Sequence, residues 1–379
     1  MNFDRLTEFL DYTLPFIGVP GSDTVIYKDH EPVYRHQGGY DNMYLATPVR
    51  DNALYNIYSC TKVSTCVAAM QLLERGELLL TDPVYAYLPE YRSLKVKRTM
   101  PDGSMEIEDA KSPMLIKHLF SMTSGLNYDL NRAAIARVRE ETDGRCPTLD
   151  IARAIAEEPL EFEPGERFRY SLSHDVLGAI VELVSGEKLG DYMRENIFGP
   201  LGMKDTTFER GENVISRLAT QYQYDAAAHR PVVIGADNAY VFGSEYQSGG
   251  AGLISSVDDY VLLVDALANM GVGKSGERIL SSAAVDLLRT SVVKDLGPKF
   301  GAQHDGYDYA YGVRVCTTPT EAGILVPSGT FGWDGAKLSI ASADPKNRIA
   351  IFHAEHMGGL HKVVMPRLLN VIYSCIDEV

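Results

Sequence analysis

A serine and a lysine in this chain have the spacing of a nucleophile and its base. Ser59 and Lys62 stand three residues apart at the start of an apolar segment, so they lie on one face if the segment is a helix. A lysine on a buried helix must be paired or neutral, and a neutral amine can take a proton from a serine hydroxyl. The pair can therefore support acyl transfer. The alternative is a serine helix cap followed by a lysine that reaches solvent.

The residues after Ser59 have the pattern of a helix that is buried on most of its surface. Apolar residues recur at helical spacing in Val63, Cys66, Val67, Met70 and Leu73. Ala68 and Ala69 keep the opposite side apolar, and Gly76 is suited to end the helix. This pattern predicts a buried helix with the serine at its beginning.

The same tetrad occurs at two other places, so its sequence alone is weak evidence. These are Ser185 with Lys188, at the predicted end of a helix, and Ser291 with Lys294, in a predicted loop. Neither opens a long apolar helix, where a lysine would lose its hydration. We therefore favour the tetrad at Ser59.

Tyr170 is a candidate partner for proton transfer. It follows a Pro164-Gly165 turn and precedes the strongly apolar helix predicted from Asp175. A tyrosine hydroxyl has a pKa of about 10, which a nearby ammonium group lowers. The alternative is a packed core residue, which is the commoner role among 22 tyrosines.

A third candidate element contains Trp333, Asp334 and Gly335, just before a predicted strand. Glycine at a strand lets a ligand approach the backbone closely. The alternative is a bulge or turn on which the tryptophan packs. On a strand, His353 and Glu355 share one face while His356 points away, so a metal site there requires other ligands.

Other motif matches fail on their context. Residues 271–275 lack the first glycine of a phosphate loop and have no preceding strand. Lys274-Ser275-Gly276 lies in a polar loop between helices. The Gly-x-Ser-x-Gly elbow of the α/β-hydrolases is missing from the sequence.

Composition restricts the class of protein. The chain has 379 residues, 45% of them hydrophobic, and a net charge of −15, which makes nucleic acid an improbable partner. Five scattered cysteines without a Cys-x-x-Cys pair suggest neither a zinc site nor a disulfide framework. With no secretory leader and no apolar run of membrane-spanning length, we expect a cytoplasmic protein that does not enter a membrane. The sequence is silent on its oligomeric state.

Strand patterns lie at both ends of the chain and helical patterns in the middle. The first strands are predicted at 23–28 and 32–36, and the last at 307–316, 323–326, 336–343 and 348–354. Helices are predicted at 3–16, 148–158, 256–269, 280–289 and 362–376. Segregated strands and helices favour an α+β fold. We expect residues 1–77 and 290–379 to form one sheet domain, residues 78–289 to form an inserted, mainly helical lobe, and the active site to lie between them.

In their order along the chain, Ser59-x-x-Lys62, Tyr170-Ser171 and Trp333-x-Gly335 resemble the motifs of the serine β-lactamase and penicillin-binding-protein superfamily. The segments 118–126, 164–171, 200–207 and 249–255 resemble recurrent phrases of that superfamily. The similarity covers about residues 15–375 and is greatest to the class C-like branch, which holds family VIII carboxylesterases and lovastatin-type acyltransferases. It implies the β-lactamase/transpeptidase fold, with an antiparallel sheet flanked by helices.

The resemblance also implies roles for individual residues. Ser59 attacks an acyl carbonyl, while Lys62 and Tyr170 take and return its proton. The backbone amides of Ser59 and Ala336 form the oxyanion hole. An acyl-enzyme forms, which water or an alcohol releases, and no metal or organic cofactor is required.

Two departures from the superfamily pattern bear on the substrate. Leu172 replaces the asparagine of Tyr-x-Asn, and Trp333 replaces the lysine or histidine that recognises a carboxylate. Asp334 beside Trp333 is expected to repel a carboxylate. We therefore predict a serine esterase, or a transacylase, acting on small hydrophobic esters. The alternatives are a β-lactamase or D-amino-peptidase and, from another class, an inactive binding protein with the same fold.

Overall fold

The computed structural model describes residues 1–294, 296 and 305–376. Within them the strands, in chain order, are β1 (Gly21–Lys28), β2 (Glu31–Asn42), β3 (Thr47–Pro48), β4 (Tyr55–Asn56), β5 (Lys95–Thr99), β6 (Met105–Asp109), β7 (Gln221–Asp225), β8 (Arg230–Ile234), β9 (Ile254–Ser255), β10 (Tyr307–Tyr309), β11 (Arg314–Cys316), β12 (Phe331–Asp334), β13 (Ser339–Asp344), β14 (Ile349–Ala354) and β15 (Met357–Gly358).

The α-helices of the same residues are α1 (Asp4–Glu8), α2 (Leu14–Ile17), α3 (Thr61–Glu74), α4 (Ile116–Phe120), α5 (Ala133–Glu141), α6 (Thr148–Ile155), α7 (Ser173–Ser185), α8 (Leu189–Met193), α9 (Gly199–Leu201), α10 (Glu212–Ile215), α11 (Val257–Ala268), α12 (Ser282–Leu288), α13 (Pro319–Ala322) and α14 (His361–Ile376). Phe9–Thr13 and Arg194–Phe198 are π-helical turns that continue neighbouring helices, and Tyr58–Cys60, Val84–Ala86 and Pro89–Ser93 are 3₁₀ turns. None of these described helices is both long enough and apolar enough to cross a bilayer.

An antiparallel sheet joins the two ends of the chain, as the sequence predicted. Its strand order is β10-β11-β12-β13-β14-β1-β2-β3, and β1 pairs with β14 in the register Val25 to Phe352 and Ile26 to Ile351. Successive side chains of a strand point to opposite faces. Val25 and Phe352 therefore enter one hydrophobic core, whereas Ile26 and Ile351 enter the other.

Helices cover both faces of this sheet. Helix α11 packs on β14, β1 and β13 on one face. The core of the other face contains Leu368 of α14 and Leu10 of the π-helical turn between α1 and α2. The expected α+β architecture, an antiparallel sheet flanked by helices, is thus confirmed.

The middle of the chain supplies a mainly helical layer that holds α3. Helix α7 packs along α3, and α4 and α6 pack against α7. Twelve consecutive residues of α3, Thr61–Leu72, are buried, including Lys62. This near-complete burial explains why apolar and small residues occupy every side of the helix.

The domain boundaries that we drew from the sequence remain a prediction. Helix α11 belongs by sequence to the predicted helical lobe 78–289, yet it packs on the sheet. Within the predicted sheet segment 290–379, residues 295, 297–304 and 377–379 lie outside the described residues.

The predicted strands of the last third need correction. The single strand expected at 307–316 is two strands, β10 and β11, separated by a turn at Gly312 whose φ is +93°. Residues 323–326 form no strand, and the helix α13 precedes them. Strand β12 is among the strands that the sequence analysis missed, because its alternation includes two small or polar residues, Gly332 and Asp334, that weaken its apolar pattern.

Candidate active site

Ser59 lies in the 3₁₀ turn that leads into α3, at the edge of a cleft. The turn is fixed from several sides: the Tyr260 hydroxyl donates to the Cys60 carbonyl at 2.5 Å, and the Ser339 hydroxyl donates to the Ile57 carbonyl at 2.9 Å. Tyr58, just before the serine, has a φ of +46°, which is rare for a bulky residue. Its hydroxyl donates to Gln221, which holds this conformation. Sequence patterns carry no signal for such a backbone.

Lys62 is fully buried and lies within hydrogen-bonding distance of Ser59. Its Nζ donates to the Ser59 Oγ at 3.3 Å, to the Tyr128 hydroxyl at 3.3 Å and to the Gly250 carbonyl at 2.6 Å. Burial lowers the pKa of Lys62 to about 8, and the Asp175 carboxylate opposes that fall. The alternative of a helix cap and a solvent-reaching lysine is therefore wrong, since α3 has no side-chain cap and Lys62 is shielded from water.

Tyr170 completes the group of three side chains that the sequence predicted to meet. Its hydroxyl is hydrogen-bonded to Ser59 and accepts a hydrogen bond of 3.0 Å from Trp333 Nε1. Burial raises the pKa of Tyr170 well above its usual value, and these two hydrogen bonds oppose the rise. The Lys62 Nζ lies 4.6 Å from the centre of the Tyr170 ring, within cation–π distance.

Three aromatic rings form a stack along one wall of the cleft. Tyr128 stacks on Tyr170 with ring centres 5.4 Å apart, and Tyr170 stacks on Trp333 at 5.5 Å. Tyr240 meets Tyr128 edge to face. Sequence reasoning missed Tyr128 and Tyr240, because both lie in loops without periodicity. The one hint in the sequence was for Tyr128, which comes two residues after the motif segment 118–126.

The cleft has a volume of about 490 Å³ and a largely apolar aromatic wall. Its lining consists of Ser59, Tyr128, Leu130, Tyr170, Tyr240, Arg314, Trp333, Asp334, Gly335, Ala336, His361 and Lys362. Ala336 follows β12 in the turn to β13, where the Gly335 amide donates to the Ser339 carbonyl at 2.8 Å. The two residues of the predicted oxyanion hole, Ser59 and Ala336, thus line the same cleft.

Asp334 is not an isolated carboxylate, contrary to the reasoning from its sequence position. Arg314 on the neighbouring strand forms an ion pair with it at 2.7 Å, and the guanidinium also lies 5.3 Å from the Trp333 ring centre. His361, at the start of α14, donates from Nε2 to the Gly335 carbonyl oxygen at 2.6 Å. The charge of Asp334 is therefore largely balanced, and repulsion of a carboxylate does not follow.

Of the four residues predicted to bind substrate, Leu172 is the one that does not line the cleft. Its side chain is 2% exposed in the main hydrophobic core, and it is not among the residues that line the cleft. The residue precedes α7, and its backbone amide donates to the Asn127 carbonyl. A contribution of Leu172 to substrate binding stays a prediction without a direct contact.

The remaining sequence motifs take structural roles. Ser185 donates to the Val181 carbonyl at the end of α7, and Ser291 donates to Asp308. His353 is buried between Thr24 and Glu355, while His356 bonds to the Ala219 carbonyl on the other side. No cluster of metal-binding side chains occurs among the residues that the structure describes. The expectation that no cofactor is required stays a prediction.

The chain is similar to known proteins over most of its length. A family model described as Beta-lactamase matches residues 14–354. Protein Rv1367c of Mycobacterium tuberculosis is 31% identical, over 88% of this chain and 84% of its own. Esterase EstB of Burkholderia gladioli is 30% identical, over 87% of this chain and 84% of its own.

Solved structures give the same result for the fold. EstCE1, described as a hydrolase with promiscuous acyltransferase activity, superposes with a TM-score of 0.77 at 26% identity, over 98% of this chain and 97% of that one. Simvastatin synthase from Aspergillus terreus superposes with a TM-score of 0.79 at 20% identity, over 99% and 98% of the two chains. The family match and the relatives together confirm the resemblance drawn from the motifs: the chain belongs to the beta-lactamase family.

Proposed function

We propose that this protein is a serine hydrolase that cleaves carboxylic esters through an acyl-enzyme on Ser59 and passes the acyl group to water or an alcohol. The observation that carries the proposal is the meeting of Ser59, Lys62 and Tyr170 at the cleft, with a fully buried lysine whose pKa is about 8. At neutral to mildly alkaline pH such a lysine supplies a neutral amine beside a hydroxyl.

In the proposed first step the Ser59 Oγ forms a bond to the carbonyl carbon of the ester. Its proton passes to the neutral amine of Lys62 while the Tyr170 hydroxyl stays hydrogen-bonded to Ser59, and the carbonyl electrons move onto the oxygen. The amides of Ser59 and Ala336 stabilise that oxyanion; loss of one such donor costs about 10²–10³ in rate. The carbon–oxygen bond to the alcohol then breaks, and the alcohol leaves with the returned proton.

In the second step water or a second alcohol attacks the acyl carbon. Lys62 takes the proton of the attacking water or alcohol, the bond between the acyl carbon and the Ser59 Oγ breaks, and the proton returns to Oγ. Because the two steps are chemically symmetric, transfer to an alcohol and hydrolysis differ only in the acceptor.

The cleft wall supports a preference for esters with apolar or aromatic acyl groups. Trp333, Tyr170 and Tyr128 offer a continuous aromatic surface. An esterase, EstB, is among the relatives at 30% identity, and an acyltransferase, calJ of Penicillium decumbens, is 26% identical over 89% of this chain and 84% of its own. These relatives support the reaction class.

The D-amino-peptidase or β-lactamase alternative also has an observation in its favour. Arg314 and Lys362 place two cations on the cleft lining against the single carboxylate of Asp334. Such a surface can accept a substrate carboxylate. A putative D-alanyl-D-alanine carboxypeptidase of Escherichia coli (strain K12) is 27% identical over 88% of this chain and 78% of its own.

A fluorophosphonate probe tests the proposed nucleophile. We expect one adduct per chain, located at Ser59 by mass spectrometry, and no adduct in a Ser59→Ala variant. Ser185→Ala is a matched control, because Ser185 begins another Ser-x-x-Lys tetrad and lies at a helix end. An unlabelled folded wild-type protein would sink the proposal and favour an inactive binding protein.

Substrate panels then separate the two hydrolase classes. We expect p-nitrophenyl esters to turn over faster than nitrocefin or D-alanyl-D-alanine peptides. Faster turnover of nitrocefin or the peptides than of every ester would replace the esterase with the alternative. Adding a competing alcohol to the ester reaction distinguishes acyl transfer from hydrolysis.

A further inference from the structure

Asp175 is a buried carboxylate to which the proposed mechanism gives no role. It lies in the first turn of α7 and is 2% exposed. Its Oδ1 accepts hydrogen bonds from the Tyr246 hydroxyl at 2.7 Å, the Ser248 hydroxyl at 2.6 Å and the Gly250 amide at 3.3 Å. Its Oδ2 has no hydrogen-bond partner among the described residues. Burying an ionised carboxylate is costly unless a cation balances it.

All three donors to Asp175 lie on the segment 246–250, which leads directly to Lys62. The amide of Gly250 donates to Asp175, and the carbonyl of the same residue accepts the 2.6 Å hydrogen bond from the Lys62 Nζ. Thr65 on α3 donates to the Gly249 carbonyl at 2.8 Å, which anchors the same segment. Gly250 has no room for a side chain, since a Cβ would lie 2.5 Å from the Asp175 Oδ2.

The other titratable groups around Lys62 are neutral at the pH where it works. Burial raises the pKa of Cys60 to about 12 and that of Cys66 well above its usual value. Tyr128 and Tyr170 likewise have raised pKa values because they are buried. Burial, with a smaller effect of Lys62, lowers the pKa of His174 to about 3. Of the groups that the described residues place against Lys62, Asp175 therefore provides the negative charge.

We propose that Asp175 is a positioning residue for Lys62: it fixes the segment whose Gly250 carbonyl holds the amine, and its charge balances the ammonium formed when Lys62 takes the Ser59 proton. The inference rests on the proposed function, since it assigns Lys62 the role of base. Asp175, on α7, would thus assist Lys62, although it contacts neither Ser59 nor the substrate and does not line the cleft.

The sign of the effect follows from electrostatics. A nearby negative charge favours the ammonium form and thereby raises the pKa of the lysine. Removing that charge makes Lys62 neutral at lower pH but also a weaker base, and a weaker base removes the serine proton less readily. An Asp175→Asn variant is therefore expected to react over a lower pH range and to reach a lower maximal rate.

The test measures the rate at which the fluorophosphonate labels Ser59 between pH 5.5 and 9.5. In this reaction the Oγ–phosphorus bond forms, the phosphorus–fluorine bond breaks, fluoride leaves and Lys62 takes the proton. We expect the midpoint of the rising limb to move about one pH unit lower in Asp175→Asn than in the wild type. We expect the plateau rate to fall about tenfold or more.

Tyr246→Phe is the matched control, because it disturbs the hydrogen bonds of the same segment without removing the charge of Asp175. It removes one hydrogen bond from Asp175 Oδ1 but leaves the carboxylate in place. Its labelling rate can fall if the segment loosens, yet the midpoint should stay at the wild-type pH. An Asp175→Asn midpoint equal to that of wild type overturns the inference, while wild type that labels at no pH overturns the proposed function itself.

A stability measurement keeps the inference testable if Asp175→Asn folds poorly. The change in Tm caused by Asp175→Asn is compared in two backgrounds, wild type and Lys62→Met. Coupled charges predict a clear loss of Tm with Lys62 present and a smaller loss, or a gain, in the Lys62→Met background, where the carboxylate lacks its cation. Equal changes in the two backgrounds overturn the pairing of Asp175 with Lys62.

Discussion

At the scale of single residues, the stack of Trp333 on Tyr170 gives the tryptophan two separable roles. The ring contributes apolar surface to the cleft, and its Nε1 donates a 3.0 Å hydrogen bond to the Tyr170 hydroxyl. A hydrogen bond to an oxygen stabilises the anionic form of that oxygen. The residue that replaces the cation of the superfamily motif thus donates a hydrogen bond to Tyr170 as well as lining the cleft.

Trp333→Phe separates these roles, because it keeps an aromatic ring but removes the donor. We expect the rate of Ser59 phosphonylation at saturating probe to fall about tenfold, since a hydrogen bond to a charged group contributes about 1.5 kcal/mol. Tyr309→Phe is the control: Tyr309 packs edge to face on Trp333, and its hydroxyl has no hydrogen-bond partner among the described residues. Equal rates for Trp333→Phe and wild type would show that the Nε1 hydrogen bond is without effect.

At the scale of elements, the turn between β12 and β13 packs closely against the segment that leads to Ser59. A Cβ on Gly335 would lie 2.3 Å from the Ile57 carbonyl oxygen and 2.2 Å from the Ser339 hydroxyl. Both distances are far shorter than any real contact, so a side chain at this position must move the turn. The adjacent Ala336 amide, one of the proposed oxyanion donors, must move with it.

We therefore expect Gly335→Ala to lower kcat for ester hydrolysis by about 10²–10³, the cost of losing an oxyanion donor. Its Tm should also fall. Gly235→Ala is a matched control, since an added Cβ there meets no atom within 4 Å and its φ is not in the left-handed region. Retention of wild-type kcat by Gly335→Ala would contradict the placement of the oxyanion hole at this turn.

The sequence predicted those elements whose pattern is long and uniform, and those residues that stand within recognisable motifs. The buried helix after Ser59 and the closure of one sheet by the two chain ends both followed from periodicity and segregation. Strand β12 and the pairing of Arg314 with Asp334 did not, because short strands have weak patterns and cross-strand partners depend on register. Tyr128 and Asp175 reach Lys62 only through tertiary packing, which no local spacing encodes.

At the scale of the whole molecule, buried histidines make the fold sensitive to acid. His174 and His356 are 0% and 2% exposed, and burial lowers the pKa of each to about 3. The unfolded chain binds protons at these residues below about pH 6.5, whereas the folded chain does not. Their contribution to stability is complete above pH 6.5 and is lost as the pH falls from there towards 3.

We expect the free energy of unfolding to fall by about 2 kcal/mol for each of these two histidines between pH 6.5 and 5. Lys62 adds no slope in this interval, because the amine is protonated in both states below its folded pKa of about 8. Urea unfolding at the two pH values measures the change, and His356→Gln should make it smaller. An exposed histidine, His229, provides the control variant His229→Gln, which should leave the slope as it is in wild type.

The placement of Trp333 has one more consequence for the molecule as an optical system. It is the single tryptophan among 379 residues, and its indole lies on the cleft lining in contact with Tyr170. Light absorbed selectively by tryptophan therefore excites one chromophore, located on the lining of the cleft. We expect its emission to change when the cleft is occupied, so that binding can be followed in real time without a label.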